Sequence, residues 1–306
     1  MKIIEYVTGK SIIGNDTTLG LVHLKVKNLI EQVKFYNFVL KMTIIEQTDE
    51  YALLGDKNNN QLLHLRKVDN LKRYKNTSGM YHFALLYPSE KEFARAVSWL
   101  YSIQYPNAPT DHGFSKTTYL KDIEGNDIEL YIRTVDRANY VNYNGQPKIR
   151  YIDGRITDGR DTLDLDELFS HLSKEDDLDS PIENMKMGHI HLYGYDVEEM
   201  QRFYTEVIGY AKGVYTPRFL MSDVGLNREE NHVIAFNAWR RTKTPAPIDA
   251  IGIDYYTLKF KNEKSYNELI ERIKNNNINL FHEDKEIFIF DPSDIKIKLE
   301  LVTNQG

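Results

Sequence analysis

Cysteine is absent from the 306 residues, which removes disulfides and thiolate chemistry from the possible activities. No apolar run approaches the roughly 20 residues that a membrane-spanning helix needs. The opening residues, Met1-Lys2-Ile3-Ile4-Glu5-Tyr6-Val7, lack the apolar stretch of a secretory signal. Nor is there a basic excess: 39 Lys and Arg face 45 Asp and Glu, for a net charge of -6. The two signs are interspersed, so no face suited to nucleic acid stands out. The expectation is a cytoplasmic protein with neither nucleic-acid nor membrane partners. What the chain does have is apolar mass. It is 41% hydrophobic and 12% aromatic, enough for one large or two ordinary domains.

Residues 78–131 hold the densest chemistry. Gly79-Met80-Tyr81-His82-Phe83-Ala84 reads as a strand with His82 inside it. Asp122-Ile123-Glu124-Gly125-Asn126 reads as a turn, and the following strand carries Glu129. A His on one strand and a Glu on another can reach one metal ion across a curved sheet. Two His and one carboxylate bind Fe(II) and leave positions open for substrate and dioxygen. This stretch supplies one His and the carboxylate, so a second His is required elsewhere.

Four similar units follow one another. The first opens at Gly20-Leu21-Val22-His23-Leu24 and the third at Gly188-His189-Ile190-His191-Leu192. Each is an alternating strand, a capping Asn28 or Asp196, and then an amphipathic helix. Phe35-Tyr36 and Phe203-Tyr204 sit equally far beyond their caps. Short strands are predicted at 43–47, 51–54 and 61–66, and again at 211–215, 218–222 and 232–237. The second unit opens at Gly79 with a helix near 90–101, and the fourth at Gly252 with a helix near 263–275. Both end in a turn and a strand. The fold class is therefore α+β, built of four tandem βαβββ units in curved mixed or antiparallel sheets. Residues 1–135 form an N-terminal half, 136–185 a linking strap with a short helix near 165–172, and 186–306 a C-terminal half.

In this order, the units resemble the vicinal oxygen chelate superfamily, which includes glyoxalases, bleomycin-resistance proteins and extradiol dioxygenases. The residues that carry the likeness are Gly79-Met80-Tyr81-His82-Phe83-Ala84, Asp111-His112-Gly113-Phe114-Ser115, the run from Tyr119 to Tyr131, Gly188-His189-Ile190-His191-Leu192 and Asp254-Tyr255-Tyr256-Thr257. They are most similar to the two-half, catechol-2,3-dioxygenase-like proteins of Bacillus-type bacteria. The resemblance implies two modules, each binding metal through the first strand of one unit and the first and last strands of its partner. The slots are then Leu21 and His189 in the first and third units, His82 and Glu129 in the second, and Tyr255 and Lys298 in the fourth. Leu cannot ligate and Lys298 would repel a cation. Only His82, Glu129 and His189 complete a set, which implies that the second unit pairs with the third and the first with the fourth. One strand His is more often packed core than ligand, but three in matching slots favour a metal.

The same resemblance implies roles for three more residues. His232 matches the strand that carries an acid–base histidine, a task suited to its pKa near working pH. Tyr119 matches a tyrosine that bonds substrate oxygen, and His112 a substrate-side histidine. Two departures stand out. Asn231-His232-Val233 replaces a His triplet, and Val135-Asp136-Arg137-Ala138-Asn139-Tyr140 contains no Trp. His23 is read as structural or as a support behind a ligand, His64 and His282 as ordinary surface or core residues, and His171 as an exposed strap residue. The expected activity is ring cleavage of a catechol-like diol by dioxygen with Fe(II), or Mn(II) in its place, in aromatic compound catabolism. A homo-oligomer is compatible with the sequence. The alternatives are a glyoxalase-type or thiol-transfer metalloenzyme, and a protein that sequesters an aromatic compound or drug. An isomerase would want a second carboxylate at the metal, and near the third unit's last strand only Glu229 and Glu230 offer one.

Overall fold

A computed structural model describes residues 2–4, 9–144 and 146–302. In chain order, a short strand β1 (Lys2–Ile4) precedes the first repeat, β2 (Thr18–Val26), α1 (Leu29–Val39), β3 (Thr43–Gln47), β4 (Tyr51–Gly55) and β5 (Gln61–Lys67). The second repeat is β6 (Gly79–Leu86), α2 (Glu90–Ser102), β7 (Ala108–Asp111), β8 (Ser115–Lys121) and β9 (Asp127–Arg133). The strap holds β10 (Ala138–Tyr143), β11 (Gln146–Tyr151), β12 (Ile156–Thr157), β13 (Asp161–Thr162) and α3 (Leu165–Phe169). The third repeat is β14 (Lys186–Tyr193), α4 (Val197–Arg202), β15 (Ala211–Thr216), β16 (Met221–Gly225) and β17 (Ile234–Asn237). The fourth is β18 (Gly252–Phe260), α5 (Glu263–Asn275), β19 (Phe281–Glu283), β20 (Glu286–Phe290) and β21 (Lys296–Leu301). The fold is α+β, with two large sheets and few helices.

The helices start where their side chains can cap them. Asn28, Ser89, Asp196 and Asn262 each accept a backbone N–H of the first turn. Two expectations differ in detail. The strand predicted at 218–222 begins only at Met221, because Pro217 opens a 3-10 turn that ends with Leu220 in the left-handed region. The third repeat's helix is α-helical for six residues, then widens into a π turn over Phe203–Ile208 and stops at Gly209.

The chain forms two compact units. The first comprises residues 1–6, 28–62 and 82–188. Its main sheet runs β13-β7-β8-β9-β6, with β6 and β9 parallel and the rest antiparallel. Ile128 and Leu130 of β9 are buried beside α2, which offers Phe93, Ala94, Val97 and Leu100, and Phe83 lies against Tyr36 of α1. The strap belongs to this unit, and its hairpin β10–β11 pairs with β1 and β12. The second unit comprises residues 7–27, 63–81 and 189–306. In it β14 lies parallel to β17, followed by β16 and β15. A second set of strands runs β19-β20-β21-β18-β2 and on to β5. The first repeat's opening strand thus pairs with the fourth repeat's, the exchange that the slot argument required.

Each unit contains the same buried brace between a helix and a turn. The Tyr36 hydroxyl donates to Asp122 Oδ2 at 2.9 Å, and Asp122 also accepts the backbone N–H groups of Glu124 and Asn126. Tyr204 donates likewise to Asp291 at 2.9 Å, and Asp291 accepts the N–H groups of Ser293 and Ile295. Burial still pushes the Asp291 carboxyl up to about 7. Tyr36→Phe removes one charge-assisted bond and leaves Asp122 its other donors. It should cost about 1–3 kcal/mol, read as a lower urea midpoint at unchanged slope. An unchanged midpoint would show that the brace adds nothing to stability.

Candidate metal centre

The parallel register of β6 and β9 sets Phe83 beside Ile128 and Ala84 beside Glu129. Phe83 and Ile128 are fully buried on one face. The alternate residues His82 and Glu129 share the other, since successive side chains of a strand point to opposite faces. Both are 3% exposed, and His82 Nε2 lies 3.1 Å from Glu129 Oε2. His189, on β14, is likewise 3% exposed. These are the three residues that the slot argument singled out, and each is buried. Two imidazoles and one carboxylate, all withdrawn from water, suit a divalent ion of the Fe(II), Mn(II) or Zn(II) kind. Another group, Glu90, Glu167 and His171, comes together at the surface. There the Lys116 ammonium already bonds Glu90 and Glu167 at 2.7 and 2.6 Å.

Tyr119 lies opposite Glu129 in the β8–β9 ladder, and its ring centroid is 5.8 Å from that of His82. His112, in the turn between β7 and β8, bonds the Tyr119 hydroxyl through Nε2 at 3.0 Å and the Gly159 carbonyl through Nδ1 at 2.6 Å. In the second unit, the His232 ring meets His189 edge to face with centroids 4.8 Å apart. His232 is no part of a strand. It sits just before β17 in the left-handed region at φ +53°, an uncommon conformation for a residue with a side chain.

Nothing local to His232 announces what holds it. His232 Nδ1 is hydrogen-bonded to the carboxylate of Asp223, which is fully buried on β16 and also accepts the Val214 N–H at 2.8 Å. Asp223 lies opposite Ala235 in the ladder, so it is distant in sequence but adjacent across the sheet. Only a search for acids on the neighbouring strand could have found it. Gly213 leaves it room, since a Cβ there would come within 1.8 Å of Asp223 Oδ1. His191 is also fixed. Asn237 Oδ1 accepts the Trp239 N–H, which turns Nδ2 toward His191 Nε2 at 2.9 Å. Tyr81, Trp239 and Tyr193 form an aromatic cluster, with Tyr81 and Trp239 against His191.

The corresponding slots of the first and fourth repeats are filled differently. Tyr255 stacks on His23 with centroids 3.9 Å apart, and His64 lies 4.8 Å away on the neighbouring strand. The Lys298 ammonium is bonded to Glu286. His64 therefore belongs to this packed face, His282 is exposed on β19, and His171 is exposed in the strap.

Residues 18–130 match the model of the Glyoxalase/Bleomycin resistance protein/Dioxygenase superfamily. A "Catechol-2,3-dioxygenase" of Bacillus subtilis (strain 168) is 28% identical over 286 residues, covering 92% of this chain and 95% of its own. A crystal structure of a Bacillus subtilis protein superposes with a TM-score of 0.61 at 11% identity, covering 96% of this chain and 86% of that one. Glyoxalase I from Zea mays does so at 0.55 and 13% identity, with 92% of each chain covered. These two structures share the fold with this chain.

Burial, then the nearby charges of His64, Lys298, Lys259 and Arg66, lower the His23 pKa from 6.5 to about 2. The native state thus keeps His23 neutral, whereas the unfolded chain protonates it below pH 6.5. That stabilising difference is complete above pH 6.5 and is lost as pH falls, by about 1.4 kcal/mol per unit. Denaturant titrations between pH 6.5 and 4.5 should show this slope, and His23→Gln should remove it. An equal slope in the variant would mean that other groups govern acid stability.

Proposed function

We propose that the chain is a metal-dependent extradiol dioxygenase that opens the ring of a catechol-like diol with dioxygen. The observation that carries this reading is the buried His82–Glu129 pair with the Tyr119 ring beside it, together with a buried His189 that meets His232. The catechol-2,3-dioxygenase relative, similar along nearly its whole length, supports it. His82, Glu129 and His189 would hold the divalent metal, Fe(II) first and Mn(II) as its substitute. When bound, the metal supplies Lewis acidity toward the diol oxygens and electrons for reaction with dioxygen.

The remaining chemistry falls to the chain's own residues. A catechol must lose a proton on binding, and a proton must return later in the reaction. His232 takes the proton at Nε2 and gives it back, while Asp223 holds Nδ1–H and so fixes the tautomer that leaves Nε2 free to accept. The carboxylate also stabilises the imidazolium that forms, as the acid of a His–Asp pair does in other enzymes. Tyr119 bonds a substrate oxygen. Tyr81, Tyr193 and Trp239 present aromatic surface against which a flat ring packs, and the buried setting excludes water.

His232→Phe should keep the metal and lower turnover by about two to four orders of magnitude, the worth of a placed proton-transfer group. Asp223→Asn should lower it too and shift the acid limb of the pH profile, with metal content unchanged. His82→Ala should lose metal and activity together. Full activity of His232→Phe on every catechol that the native protein opens would remove His232 from the proton relay. If anaerobically iron-loaded native protein opens no catechol, the glyoxalase-type or sequestering function gains the support this one loses.

A further inference from the structure

The strap reaches His112 through the carbonyl group of Gly159. Gly159 lies in a turn at φ +68°, where its N–H is held by Thr157 Oγ1 at 3.0 Å, and Thr157 is held in turn by Asp161. A Cβ on Gly159 would come within 2.6 Å of Ile149 Cγ1, so β11 packs directly against this turn. The turn aims the Gly159 carbonyl at His112 Nδ1, 2.6 Å away. A carbonyl oxygen can only accept, so Nδ1 carries the proton. In the neutral imidazole Nε2 then has a lone pair and no hydrogen, and the Tyr119 hydroxyl 3.0 Å away must donate to it. The proton of Tyr119 is thereby committed to His112. The segment bearing His112 is itself tied down, since Gly113 N–H donates to Asp111 Oδ1 at 2.7 Å and Thr134 Oγ1 donates to the Gly113 carbonyl at 2.9 Å.

We propose that the strap, through the Gly159 carbonyl and the positioning residue His112, makes Tyr119 a hydrogen-bond acceptor toward whatever occupies the site. The ligand oxygen that meets Tyr119 must then bring its own proton. That selects a ligand with a free hydroxyl there and disfavours one whose oxygen is methylated. In naming the ligand a diol, this rests on the dioxygenase reading. The chain of hydrogen bonds from Gly159 to Tyr119 does not. Under that reading, the diol oxygen facing Tyr119 is the one that keeps its hydrogen.

Two measurements test it. Nitrogen-15 NMR of histidine-labelled native protein at pH 7 should show His112 neutral and protonated at Nδ1. An Nε2–H tautomer or an imidazolium would overturn the proposal, because Nε2 would then donate to Tyr119. Secondly, native protein loaded with redox-inert Zn(II) should bind catechol at least tenfold more tightly than 2-methoxyphenol, measured by calorimetry. In His112→Phe the Tyr119 hydroxyl is released to donate, so this ratio should fall severalfold. A ratio unchanged in the variant would also overturn the proposal. Failure of the iron-loaded protein to open catechols would count against the dioxygenase reading and leave the tautomer result standing.

Discussion

The burial of Glu129 is the constraint on which the rest depends. Withdrawing a carboxylate from water costs several kcal/mol unless positive charge meets it. At 3% exposure Glu129 meets His82 at 3.1 Å, and His189 is buried to the same degree. A divalent ion held by His82, Glu129 and His189 would supply that charge. The surface group of Glu90, Glu167 and His171 shows the opposite solution, in which a Lys ammonium supplies the charge and leaves nothing for an ion to do.

The same strand slots elsewhere in the chain show what happens when that demand disappears. Where the second and third repeats carry His and Glu, the first and fourth carry Leu21, Tyr255 and Lys298. Tyr255 lies flat on His23, and Lys298 pairs with Glu286, so the slots are filled by stacking and by an ion pair. Both arrangements rest on one scaffold, whose Tyr–Asp braces, Tyr36 to Asp122 and Tyr204 to Asp291, recur with the repeat. Repetition fixes the backbone, and a few side chains decide which face can do chemistry.

Much of this was legible in the sequence because it is local or periodic. Asn28, Asp196 and the alternating strands announce their elements, and the repeat puts His82, Glu129 and His189 in matching slots. The strand expected at 218–222 was displaced because Pro217 starts a turn that alternation does not reveal. Asp223 and Gly159 were invisible for a different reason. Asp223 reaches His232 only across a ladder, and Gly159 acts through a backbone carbonyl that every residue type possesses. His64 looked ordinary because its packing against His23 exists only once β2 and β5 lie side by side.

The central claim is that these two histidines and one glutamate hold a single divalent ion. X-ray absorption at the iron edge of Fe(II)-loaded native protein, compared with His189→Ala, tests it most directly. The account predicts two imidazoles among otherwise oxygen ligands in the native protein, and one imidazole fewer, or no bound iron, in the variant. A native spectrum without imidazole scattering, or one that His189→Ala leaves unchanged, would contradict it.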